Sequence, residues 1–179
     1  MSPTSGNVGT SVTISGSGFG STQGTSTVKF NGVTSTPTSW SSSKIVAPVP
    51  GAATTGNVVV TVGSSASNGV QFTVTPNISS LAPNSGAVGA SITISGSGFG
   101  STQGTSTIKF NGTTATPTSW SAASIVAPVP SGAATGNVVV TVNNVASNGV
   151  SFTVVPAPKY QQCVAHDWRG GRFGDYRWK

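Results

Sequence analysis

The sequence repeats itself once over most of its length, with an offset of 80 residues. The segment SPTSGNVGTSVTISGSGFGSTQGTSTVKFNG recurs as APNSGAVGASITISGSGFGSTQGTSTIKFNG. Segments 3–76 and 83–156 align without a gap, and about three quarters of their positions are identical. Because a solenoid turn takes only roughly 20 to 50 residues, each copy should be a folding unit of its own. We therefore predict two domains and a tail, with the bounds 1–76, 77–158 and 159–179.

Each copy contains short segments in which apolar and polar residues alternate. In the second copy they are SITIS (91–95), TIKF (107–110), NVVVTV (137–142) and VSFTV (150–154). Alternation with period two and many β-branched residues predict half-buried strands. No segment shows helical periodicity, and 24 glycines with 11 prolines favour turns. The pattern predicts an all-β fold made of antiparallel sandwiches.

Asn-Gly dipeptides separate several of these strand-like segments. A type I′ hairpin turn needs positive φ at both central residues, which Asn-Gly tolerates best. The sequence therefore predicts such turns at four places: Asn31-Gly32, Asn68-Gly69, Asn111-Gly112 and Asn148-Gly149.

The motifs of each copy follow a fixed order: Pro-x-Ser-Gly, then GSGFG after a strand, then KFNG, then the closing pair NVVVTV and VSFTV. This order resembles the IPT/TIG family of immunoglobulin-like domains, and the resemblance covers nearly all of residues 1–158, twice. It implies two tandem immunoglobulin-like β-sandwiches, here followed by an irregular C-terminal tail. Members of the family occur in bacterial surface and secreted proteins, as spacers in carbohydrate-active enzymes, in plexin-type receptors and in Rel-type transcription factors. Nothing in this chain resembles the basic DNA-reading loop of the Rel proteins.

Charged residues are scarce in residues 1–158, which contain only three: Lys29, Lys44 and Lys109. A nucleic-acid binder concentrates Lys and Arg on one face, because neutralising phosphates supplies much of the affinity. Three scattered lysines therefore predict no nucleic-acid partner. Residues 1–158 also contain no Asp, Glu, His, Cys or Tyr, so serine has no base to activate it. We predict no catalytic residue, no metal, no cofactor and no enzymatic activity.

The GSGFG motif at 16–20 and 96–100 has the composition of a phosphate-binding loop. A dinucleotide loop, however, has the spacing G-x-G-x-x-G and leads into a helix that receives the phosphate. No helix is predicted here, so the motif indicates a tight bend that turns Phe19 or Phe99 into the core.

The start of the chain differs from the start of the second copy. The second copy opens with NISSLAP, a predicted first strand, whereas Met1 stands at the position of Leu81. The first domain is therefore predicted to lack its leading strand, and Met1 to be an internal start in a longer array or the edge of a fragment. No apolar run reaches the roughly 18 residues of a membrane span, and no signal peptide follows Met1. We predict no membrane insertion and an export signal outside this chain.

The tail, residues 159–179, holds the only Cys, the only His and both Asp of the chain. Cys163, His166 and Asp167 resemble a nucleophile with its base, or part of a metal site. The tail also mixes arginines with aromatic residues, as RNA-binding segments do. The codons that can encode the tail were therefore read one base out of frame. In that frame they permit Asn-Ile-Ser-Ser and then most of the repeat, and the codon of Trp168 forces a Gly. We therefore interpret the tail as a third repeat read in the wrong frame, while a genuine frame would make Cys163 and His166 the first functional candidates.

Trp40 and Trp120, at equivalent positions of the two copies, are the candidate ligand-binding residues. An exposed indole can stack on a sugar ring, and the alternative role is packing at the rim of the sandwich. The sequence thus favours non-catalytic structural or adhesive spacer modules of an extracellular or cell-surface repeat protein. Their expected partners are other repeats of the same chain, a polysaccharide or another surface protein. The alternative function is a carbohydrate-binding module that uses Trp40 and Trp120.

Overall fold

A computed structural model of the protein describes residues 1–156, and every regular element in them is a β-strand. The strands of the first domain are β1 (Ser5–Gly6), β2 (Ser11–Ser15), β3 (Thr27–Phe30), β4 (Val33–Ser35), β5 (Ser39–Trp40), β6 (Lys44–Pro48), β7 (Gly56–Val62), β8 (Ser65–Ala66) and β9 (Val70–Val74). Those of the second domain are β10 (Asn77–Ala82), β11 (Ser85–Gly86), β12 (Ser91–Ser97), β13 (Thr107–Phe110), β14 (Thr113–Ala115), β15 (Ser119–Trp120), β16 (Ser124–Pro128), β17 (Gly136–Val142), β18 (Val145–Ala146) and β19 (Val150–Val154). In the described part of the chain, no helix is long and apolar enough to cross a membrane.

Two sheets pack against each other in the first domain. The larger has the order β1-β9-β7-β3-β4, with β8 paired to β7, and the smaller has the order β2-β6-β5. All pairs are antiparallel except β1 with β9, where Ser5 lies opposite Thr73. The chain passes from one sheet to the other four times, between β1 and β2, β2 and β3, β4 and β5, and β6 and β7. This layout confirms the predicted immunoglobulin-like sandwich.

The core lies between the sheets because the strands alternate as the sequence predicts. Val12 and Ile14 of β2 point inward, while their neighbours along the strand are more exposed. From the opposite sheet, Phe30 and Phe72 meet edge to face, with ring centroids 5.5 Å apart. The second domain has its own equivalent core, so each copy folds around a separate apolar cluster.

The second domain differs from the first by one strand, β10. This strand joins the smaller sheet, which therefore has the order β10-β12-β16-β15. It runs antiparallel to β12 and places Leu81 opposite Ile94 and Ala82 opposite Thr93. In the described part of the first domain, only an isolated bridge between Ser2 and Thr13 takes its place.

The Asn-Gly prediction is right for one pair of turns and wrong for the other. Asn31 and Gly32 have φ values of 44° and 85° and join β3 to β4, and Asn111-Gly112 does the same in the second domain. At Asn148-Gly149, in contrast, φ is not positive, and β17 turns back earlier, at Asn143-Asn144. Asn68-Gly69 behaves in the same way in the first domain, because β7 already pairs with β8 and β17 with β18, and both dipeptides lie in the connection to the last strand of their domain. In the second domain the Asn148 side chain bonds the distant strand β10.

Candidate functional site

The GSGFG loop and the tryptophan form one structural unit in each domain. The loop follows β2 and is fastened to the turn between β5 and β6, where the Gly16 N–H donates to the Ser43 carbonyl oxygen over 3.0 Å. The Phe19 side chain turns into the core and is buried, as the sequence predicted. Trp40, at the end of β5, packs beside this phenyl ring.

Each indole bonds the loop beside it. The Trp40 Nε1–H donates to the Phe19 carbonyl oxygen over 3.1 Å, and the two rings meet edge-on with centroids 6.3 Å apart. Trp120 donates to the carbonyl oxygens of Phe99 and Gly100 over 3.1 and 3.2 Å. Each indole therefore uses its only hydrogen-bond donor within its own domain.

These contacts define what the two predicted ligand-binding residues can do. Trp40 and Trp120 are half-buried and stand one in each domain, with one ring edge against a phenylalanine. A sugar ring could reach only the exposed part of each indole, without a hydrogen bond from Nε1. The geometry is that of a side chain that locks the GSGFG loop onto the sandwich.

We expect Trp120→Phe to lower the unfolding free energy of the second domain by about 1–2 kcal/mol, because two partly buried carbonyl oxygens lose a donor. Trp40→Phe should cost the first domain no more than this, since it removes one hydrogen bond. Urea unfolding followed by hydrogen exchange, which resolves the two domains, would measure both losses. Unchanged stability in both variants would contradict the locking role.

The two GSGFG loops have identical sequences but different surroundings. Gly98 and Gly100 are buried, whereas the equivalent Gly18 and Gly20 are exposed. A Cβ at Gly98 would lie 3.1 Å from the Cα of Pro76 and 3.3 Å from a Val74 methyl carbon. The second loop thus packs against the end of the first domain. Sequence reasoning missed this joint because the two motifs are the same.

A cleft of about 400 Å³ beside the joint is lined mainly by uncharged polar residues. They include Asn31 and Thr54 of the first domain and residues of the loop that follows Phe99 in the second. Residues 1–156 contain no group of three or more His, Cys, Asp or Glu that could hold a metal ion. The predictions made for Cys163, His166 and Asp167 concern positions outside the described residues.

Fold and site together define a pair of tandem immunoglobulin-like β-sandwich modules whose tryptophans brace glycine-rich loops. The family model described as the IPT/TIG domain matches residues 1–74 and again residues 76–154. The chain therefore belongs to the IPT/TIG family, which confirms the resemblance inferred from the motifs. No curated protein sequence gives a significant match.

Solved structures are similar to this chain at low sequence identity. The surface glycan-binding protein PbSGBP-B from Prevotella bryantii is 17% identical, with 83% of this chain and 38% of that chain covered and a TM-score of 0.51. An auxiliary nutrient binding protein from Bacteroides thetaiotaomicron is 18% identical, with coverages of 45% and 21% and a TM-score of 0.43. The Plexin A4 extracellular region is 22% identical, with coverages of 86% and 17% and a TM-score of 0.42. The chain thus spans well under half the length of each.

Proposed function

We propose that the two domains are non-catalytic spacer modules, with an adhesive role at their surface, in an extracellular or cell-surface repeat protein. The packed joint between the domains is the observation that carries the proposal. A spacer has to transmit a fixed direction from one module to the next, which requires a short and well-packed connection.

The connection has both properties. Only Thr75 and Pro76 separate the end of β9 from the start of β10. Proline restricts its own φ and the conformation of the residue before it. Gly98 approaches this linker closely, because a Cβ added at Gly98 would lie 3.3 Å from the Thr75 carbonyl oxygen. The linker thus packs against the GSGFG loop of the second domain.

The surface chemistry supports a role without catalysis. Only three lysines are charged in residues 1–158, and the polar surface is made of Ser, Thr, Asn and Gln. Such a surface offers hydroxyl and amide groups to a polysaccharide or another surface protein, and it offers no carboxylate or imidazole as a catalytic acid or base. The occurrence of IPT/TIG domains in bacterial surface and secreted proteins supports the proposed location at a cell surface.

The experiment compares two glycines with the same backbone conformation. Gly98 and Gly18 have φ values of 75° and 76°, so alanine strains both equally. Only at Gly98 does the new Cβ also meet the linker, since nothing lies within 4 Å at Gly18. NMR relaxation of the 179-residue chain should show both domains tumbling together, and Gly98→Ala should release them while Gly18→Ala should not. Independent tumbling of the unaltered chain would overturn the proposal.

The alternative function is a carbohydrate-binding module built on Trp40 and Trp120. Both indoles are partly accessible, which is the observation in its favour. Binding to a polysaccharide array that disappears in Trp120→Ala, but persists in Trp120→Phe, would support stacking by an aromatic face. Absence of binding to every polysaccharide tested would leave the spacer function.

A further inference from the structure

The cleft of about 400 Å³ beside the joint has one wall from each domain. In the first domain, Asn31 lies in the turn between β3 and β4, and Thr54 precedes β7. In the second, the wall is the loop that follows Phe99, together with Asn143 between β17 and β18. The walls are close, because a Cβ added at Gly100 would lie 3.5 Å from the Thr54 methyl carbon. Each domain thus supplies half of a site that neither contains alone.

Among the described residues, no charged side chain lines this cleft. The lining offers mainly hydroxyl, amide and backbone groups, since the apolar residues Phe99 and Val142 are themselves buried. A charged ligand would lose hydration here without gaining a group of opposite charge, which is costly. The lining therefore favours an uncharged ligand whose own groups both donate and accept hydrogen bonds.

Hydrogen bonds within each domain orient two of the lining amides. Asn31 Nδ2 donates to Thr54 Oγ1 over 2.8 Å, and Gln103 Nε2 donates to the Ser106 carbonyl oxygen over 3.1 Å. Because both amides use their nitrogen within the protein, their oxygens are left to accept a hydrogen bond, and the Thr54 hydroxyl is left to donate one. Side chains that are held in place before binding lose little conformational entropy when a ligand arrives.

The two copies differ at two positions that line the cleft. Thr54 corresponds to Ala134, and Asn143 corresponds to Gly63. Asn143 has a φ of 48°, close to the 59° of Gly63. Glycine adopts this conformation at a lower cost than asparagine, so the turn itself does not require the Asn143 amide. At both positions the polar side chain is present only in the copy that faces the cleft.

We propose that this cleft binds one or two sugar units of a neutral polysaccharide. Sugar hydroxyl groups donate and accept hydrogen bonds, which matches the Thr54 hydroxyl and the amides of Asn31, Gln103 and Asn143. The volume lies within the range of about 300–1,000 Å³ that is typical of small-molecule sites. Because the Phe99 ring is fully buried, no stacking on it is available, and binding relies on hydrogen bonds.

This inference rests on the proposed function, because the site exists only while the two domains are packed at the joint. It gives the adhesive role a place on the molecule and a class of partner. It uses neither Trp40 nor Trp120, so it is distinct from the carbohydrate-binding alternative built on the two indoles.

The test is an NMR titration of the isotope-labelled 179-residue chain. The probes are five neutral hexasaccharides: cellohexaose, maltohexaose, laminarihexaose, mannohexaose and xylohexaose. Hexagalacturonate, which is anionic, is the matched charged probe. We expect at least one neutral probe, at millimolar concentration, to shift the side-chain amide signals of Asn31, Gln103 and Asn143. Hexagalacturonate should leave these signals unchanged.

The duplication provides matched variants for the titration. Gln103→Ala should weaken binding of the sugar about three- to tenfold, the effect of one lost hydrogen bond. Gln23→Ala removes the equivalent bond in the first domain, outside the cleft, and should leave the affinity unchanged. Asn143→Gly keeps the positive φ and should weaken binding as much as Gln103→Ala. Its neighbour Asn144 also has a positive φ, 64°, but does not line the cleft, so Asn144→Gly should have no effect.

The failure of this inference differs from a failure of the spacer function. Domains that tumble together, with no shift at Asn31, Gln103 and Asn143 by any neutral probe, would reject the sugar site and leave the spacer function intact. Independent tumbling, measured without any sugar, would reject both. Shifts confined to the indole N–H signals of Trp40 and Trp120 would assign binding to the tryptophans instead. Equal losses in the cleft variants and their matched controls would also reject the site.

Discussion

Phe110→Ala should leave the second domain close to unfolded while the first domain stays folded. The Phe110 ring is 1% exposed and meets Phe152 edge to face, with centroids 5.4 Å apart. Truncation of a buried phenylalanine to alanine costs about 3–5 kcal/mol. A domain of this size has only about 4–11 kcal/mol of stability in total, at roughly 0.05–0.15 kcal/mol per residue. The loss is thus a large share of what holds the domain together.

The duplication provides the control for this experiment. Phe30 is equally buried and meets Phe72 at 5.5 Å, so Phe30→Ala should unfold the first domain and spare the second. Because the two cores are separate, the double variant should show the sum of the losses. Hydrogen exchange at increasing urea concentrations would measure the unfolding free energy of each domain separately, from the peptides that belong to it. Simultaneous unfolding of both domains in either single variant would contradict two independent cores.

The sequence predicts the parts of this fold that depend on local alternation. The inward positions of SVTIS and TIKF are apolar, and the structure buries them as β2 and β3. Strand β1 has only two residues, too few to show alternation. Its pairing with β9 joins Ser5 to Thr73 across almost the whole domain, which local sequence does not predict. The domain bounds 1–76 and 77–158 remain a prediction, and β9 ends at Val74 while β10 starts at Asn77.

The roles of individual polar side chains were harder to predict. Asn148 was expected in a turn because Asn-Gly favours one locally, yet its amide bonds Ile78, 70 positions away. Trp40 was expected either at the rim or on a ligand, and its partner Phe19 lies 21 positions away. Local sequence carries no signal for such contacts. They become visible only when the sandwich brings distant segments together.

The second large effect is expected at Gly96, where alanine should cost the second domain about 3 kcal/mol or more. A Cβ at this position would collide with the carbonyl oxygen of Asn77 and lie 2.5 Å from Cζ of Phe99. The carbonyl belongs to the paired backbone of β10 and cannot move without breaking the strand pairing. Overpacking of this kind in a well-packed site costs typically about 1–3 kcal/mol, and more when backbone is displaced.

Gly16→Ala is the matched variant, and its cost should be smaller, about 1–2 kcal/mol. The three atoms nearest to its Cβ would all belong to the Phe19 ring, with Cζ at 2.5 Å, and this ring lines a cleft of about 340 Å³ into which it can shift. Domain-resolved urea unfolding would measure both losses, and equal losses would show that β10 does not cause the difference.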